Sequence, residues 1–125
     1  MSTSAVTVTP TTQRATFTGA WGLRETVNLT ITNTAGAWAA GTYTIALIDE
    51  QDARNTVVAQ TVGLVRVGAT LTGALDLDTT AGVAAYGTLD RERGYRVFRA
   101  YLWLGSPTNV RGIWDVSVFY NGYEP

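Results

Sequence analysis

The chain has 125 residues, 46% of them hydrophobic and 15% charged, with a formal charge of −1 at pH 7. It contains no Cys, no His and no Lys, which excludes disulfides, thiol and imidazole chemistry, Schiff-base lysines, phosphate-loop lysines and Cys/His zinc sites. The slightly acidic balance provides no basic face for nucleic acid, and the length is that of one domain, about 100–150 residues.

Thr is the commonest residue, and its β-branched side chain suits a pleated, half-buried surface. Residues 4–9 read as a strand, but Pro10 interrupts the segment, so residues 1–10 also read as an extended N-terminal arm. A second strand covers 14–19, and the turn Gly19-Ala-Trp-Gly22 places Trp21 in a loop. In 25–32, Val27, Leu29 and Ile31 alternate with Thr26, Asn28, Thr30 and Thr32, the pattern of a strand with one wet face. Trp38 falls in the following loop. A strand at 42–49 leads into Asp49-Glu-Gln-Asp-Ala-Arg54, which lacks the ligand spacing of a calcium loop and reads as a solvated hairpin turn. Strands at 56–67 and 69–77 follow, with Gly63 marking a bulge or bend in the first. Asp78 is a good N-cap, and 79–86 reads as a short helix of about two turns. Strands at 95–104 and 110–120 close the chain as a hairpin around Gly105–Asn109.

About eight short strands at regular spacing make one all-β domain, 1–125. The expected architecture is an antiparallel β-sandwich, jelly-roll-like or Ig-like.

No pair of carboxylates stands out as a glycosidase dyad. The four serines sit in no Gly-x-Ser-x-Gly turn. No catalytic residue, metal ligand or cofactor is assigned, and the chain is not expected to be an enzyme. Asn28-Leu-Thr30 matches a glycosylation sequon only by chance within a strand.

The final hairpin is more informative. Pairing Leu104 with Val110 sets Tyr95 across from Phe119, Arg99 from Asp115, Tyr101 from Ile113 and Trp103 from Arg111. The opposite face carries Phe98, Ala100, Leu102, Trp114, Val116 and Val118 and is the core face, with Trp114 between the sheets. The first face holds Tyr95, Val97, Arg99, Tyr101, Trp103, Ile113, Asp115 and Phe119. A face rich in aromatics and Arg has the composition of a protein–protein interface. Equally, it is a face covered by the N-terminal arm or the short helix. A different use of exposed aromatics is stacking on sugar rings, for which Trp21, Trp38 and Trp103 are the candidates.

The start shows no charged segment followed by an apolar one, and no apolar run approaches the roughly 18–20 residues of a membrane span. A protein made in the cytoplasm without a membrane partner is expected. Two stretches carry a resemblance: Leu71-Thr-Gly-Ala-Leu-Asp-Leu-Asp-Thr-Thr-Ala-Gly-Val-Ala-Ala-Tyr86, and the strand pair Tyr95-Arg-Val-Phe-Arg-Ala-Tyr-Leu-Trp-Leu104 with Ile113-Trp-Asp-Val-Ser-Val-Phe-Tyr-Asn121. With the Thr/Ala/Gly-rich composition, they resemble the small β-sandwich proteins of tailed bacteriophage particles, of the decoration, head-fibre or tail-adaptor type. The resemblance is one of style across most of the chain and transfers no functional residue. It implies a virion structural protein in a capsid or tail, a homo-oligomer whose partners are itself and other virion proteins. The alternative is a carbohydrate-binding β-sandwich module.

Overall fold

The structure is a computed structural model that describes residues 2–8, 15–22, 25–51, 55–78 and 94–120. The described residues form nine strands: β1 (Ser2–Val8), β2 (Ala15–Gly22), β3 (Thr26–Asn33), β4 (Tyr43–Asp49), β5 (Thr56–Val62), β6 (Val65–Val67), β7 (Thr70–Asp76), β8 (Gly94–Leu104) and β9 (Val110–Tyr120). They make two sheets, ordered β1-β3-β7-β6 and β2-β9-β8-β4-β5. This is the ABED and GFC order of immunoglobulin-type sandwiches, with β5 and β2 extending the second sheet at its two edges. It departs from that plan at the start, where β1 runs parallel to β3. β2 runs parallel to β9, and the remaining pairs are antiparallel. The expected helix at 79–86 lies outside the described residues.

The alternation read in β3 is realised. Val27, Leu29 and Ile31 are buried, while Thr26, Asn28, Thr30 and Thr32 are half-buried on the outer face. There Thr30 pairs with Thr72 and Thr32 with Thr70, a polar surface made of β-branched side chains. The core between the sheets takes Leu71 and Leu75 from β7, Ile45 and Leu47 from β4, and Phe98, Leu102, Trp114, Val116 and Val118 from the hairpin.

Four sequence readings need correction. Residues 2–8 are not a free arm: β1 pairs with β3 along its length, and Val6 and Val8 are buried. Apolar side chains at alternate positions drew it into the core. Trp21 lies within β2, not in a loop. The single strand expected at 56–67 is two strands in different sheets. Gly63, at φ +81°, turns the chain from one sheet to the other in a left-handed conformation that glycine tolerates. The N–H groups of Gly63 and Leu64 both donate to the Tyr43 carbonyl at this crossover. Finally, the turn after β4 is not simply solvated. Asp49 is buried, and its Oδ1 accepts from Arg96 Nε at 2.9 Å, which satisfies a carboxylate at the end of the core.

Candidate interaction surface

β8 and β9 project alternate side chains to opposite sides of the five-stranded sheet, as strand geometry requires. Their register pairs Tyr95 with Phe119, Val97 with Ser117, Arg99 with Asp115 and Tyr101 with Ile113. The expected outer face is therefore assembled as one surface. Tyr95 is exposed, and Val97, Arg99, Tyr101, Trp103, Ile113, Asp115 and Phe119 are half-buried. Tyr95 and Phe119 meet edge to face with ring centroids 5.9 Å apart.

Two expected pairs differ, Leu104 with Val110 and Trp103 with Arg111. Trp103 sits opposite Val110, because a bulge between Leu102 and Trp103 absorbs Arg111. Arg111 is instead exposed at the end of the sandwich, lining a depression with Asn33, Trp38 and Tyr43.

β4 and β5 widen this face, which the hairpin alone did not reveal. Tyr101 lies opposite Ala46, and Ala46 opposite Gln60; Trp103 lies opposite Thr44, and Thr44 opposite Val62. Ala46 and Thr44 are buried, shielded by these larger neighbours. The signal was legible in Tyr43-Thr-Ile-Ala-Leu-Ile-Asp49, whose apolar residues occupy both faces. A half-wet antiparallel strand does not have this pattern.

The charges on the face form a network. Arg99 Nε donates to Asp115 Oδ1 at 3.3 Å, and its Nη1 lies 3.0 Å from Glu50 Oε2. The Tyr101 hydroxyl donates to the other oxygen of Glu50. Two carboxylates thus share one guanidinium, where the sequence showed only the Arg99–Asp115 pair. At this exposure each ion pair contributes about 0–1 kcal/mol to folding, so the network contributes little to stability. It does fix the positions of Arg99 and Tyr101. Gln51 continues the edge of the network, its Oε1 accepting from the Val97 N–H at 3.3 Å.

Among the described side chains, the candidate sugar-stacking residues Trp38 and Trp103 do not form a common platform. Trp38 is buried, its Nε1 donating to the Ile31 carbonyl at 3.3 Å and its ring packed edge-on to Tyr43. This corrects its reading as an exposed stacking residue: it plugs the end of the core beneath the β3–β4 loop. The Trp21 side chain lies outside what the structure describes. Of the two candidates whose side chains are described, Trp103 is the one on the open face. Among the described residues, no group of three or more acidic, His or Cys side chains is placed to hold a metal.

Burial raises the pKa of the Tyr43 phenol, with Arg111 and Arg66 pulling the other way. Burial, and then the hydrogen bond to Glu50, raises that of Tyr101. A raised phenol pKa means the folded state holds the proton more tightly. Its stabilising contribution is complete below the unfolded value of about 10 and is lost as pH rises through the folded value. Thermal melts should therefore show stability falling as pH rises above about 10. Tyr43→Phe and Tyr101→Phe should each flatten that fall, and an unchanged slope in both would contradict these assignments.

Neither a scan against protein-family models nor a search of curated proteins finds a match to the chain.

Proposed function

We propose that the protein is a non-enzymatic structural subunit of a tailed-phage capsid or tail assembly. It works by protein–protein contacts through the outer face of the five-stranded sheet, with copies of itself and other virion proteins. One contrast between the two outer faces supports this reading. The four-stranded sheet presents Thr30, Thr32, Thr70 and Thr72, with only the small aliphatic side chains of Val65 and Val67, among the described residues, exposed beside them at its β6 edge. The five-stranded sheet presents Tyr95, Val97, Tyr101, Trp103, Ile113 and Phe119 on paired strands. Soluble proteins seldom leave a contiguous apolar patch of more than a few hundred Å² exposed without a use. The N-terminal strand, which was one way to cover this face, belongs to the other sheet.

The experiment is to purify particles from infected cells and identify their proteins by mass spectrometry, with immunogold labelling to place the chain on head or tail. The expected result is a fixed stoichiometry with the other virion proteins. Absence from particles, together with binding on a glycan array and sugar quenching of Trp103 fluorescence, would replace this reading by the carbohydrate-binding one.

A further inference from the structure

Four of the five exposed large hydrophobics among the described residues, Val57, Val62, Val65 and Val67, lie on β5 and β6. These are the adjacent edge strands of the two sheets, on the side of the sandwich away from β1 and β2. Edge strands carry unpaired backbone N–H and C=O groups, and proteins usually blunt them with Lys, Pro or inward-pointing charge. From Asn55 to Val65 there is no charged residue and no Pro. The only irregularity within β5 is the register shift beside Ile48.

The ladder shows which backbone groups face outward. Gly63 N–H donates to the Tyr43 carbonyl at 2.9 Å. Hydrogen-bonded pairs in an antiparallel ladder recur every second residue, so Thr61 with Ile45 and Ala59 with Leu47 are the bonded pairs. Gln60 and Val62 between them direct their N–H and C=O groups away from β4, to the side where no described strand pairs with them.

We propose that β5 is a second interaction surface, distinct from the aromatic face, and that its occupant is β5 of a second copy, paired antiparallel across a two-fold axis. The absence of charge favours this occupant. An uncharged strand set against itself meets no like-charge repulsion, which directly opposed charges would cause. The side chains fit as well. Val62 shares a row with Thr44 and Trp103, and Val57 shares one with Ile48 and Arg99. Pairing β5 with its copy would join the two aromatic faces into one continuous sheet surface. A strand of seven residues spans about 24 Å, and packed sheets lie about 10 Å apart. A strip of that length and width on each partner buries on the order of 500 Å² per pair, below the size of a stable specific interface. The expected dimer is weak and concentration-dependent, and is reinforced inside a larger assembly.

The test uses sedimentation velocity across a concentration series, with amide hydrogen exchange at its two ends. It is run on the intact protein, on Val57→Lys/Val62→Lys, and on Tyr101→Ala/Trp103→Ala, which disables the aromatic face. The edge variant should melt as the wild type does, because both side chains are exposed. Its dimerisation constant should weaken at least tenfold. The aromatic-face variant should keep the edge dimer. In that variant the Gln60 and Val62 amides should gain protection as concentration rises. Edge dimerisation that survives the lysines, or Gln60 and Val62 amides that exchange equally fast at low and high concentration, would overturn the proposal. Failure of the aromatic-face reading would leave these readouts unchanged.

Discussion

Trp114→Ala should lower folding stability by about 3–5 kcal/mol, the cost of truncating a large buried aromatic. The indole is fully buried between the sheets. It has room because Gly112, two residues earlier on the same side of β9, has no side chain: a Cβ built there would lie 3.1 Å from the indole. The ring nitrogen, however, has no hydrogen-bond partner among the described residues. Trp114→Phe keeps most of the apolar contact and removes an unsatisfied donor, which is itself costly when buried. It should therefore cost much less than the alanine variant. Urea denaturation of the two variants checks both statements. A loss below about 1 kcal/mol for Trp114→Ala would mean that the indole does not fill the core, since a large buried aromatic costs several times that.

The second large effect concerns the crossover. Leu64, which follows the left-handed Gly63, folds its side chain over Gly73 of β7, where a Cβ would meet Leu64 Cδ2 at 2.3 Å. Leu64 is buried, so Leu64→Ala should cost about 2–5 kcal/mol. Gly73→Val in the wild-type background should cost about 1–3 kcal/mol by overpacking. Residues in contact do not behave additively. The space left by Leu64→Ala can accept the isopropyl group that Gly73→Val introduces, so the double variant should be more stable than the sum of the single losses predicts. Simple additivity would show that Leu64 is not what fills the space above Gly73.

The strands with one wet face were the most legible from sequence. The alternation of Val27, Leu29 and Ile31 with Thr and Asn fixed both the presence and the facing of β3, because burial on one face of a strand has a period of two. The closing hairpin was equally readable over most of its length, since a one-residue slip would have turned Trp114, Val116 and Val118 outward. Reading failed where the chain changes partner or direction. Gly63 marked a break, but no local pattern distinguishes a bulge within one sheet from a step between two. Arg111 was misplaced by one position, because a bulge costs little locally and leaves no composition signal. Asp49 and Glu50 looked like turn residues. Their partners, Arg96, Arg99 and Tyr101, are more than 45 residues away, and only the pairing of β4 with β8 brings them near. Trp38 showed that an aromatic residue in a loop can still belong to the core.

The central claim is that Tyr101 and Trp103 serve assembly more than folding. The most direct measurement compares the wild type with Tyr101→Ala/Trp103→Ala for chemical-denaturation stability and for assembly size by sedimentation. Anchors of an interface typically each contribute about 2 kcal/mol or more to association, roughly a thirtyfold change in affinity. The double variant should remain folded, while its assemblies shrink to no more than the edge-paired dimer and it fails to enter particles. A variant that assembles as the wild type does, yet loses several kcal/mol of folding stability, would contradict the claim and make this face part of the core.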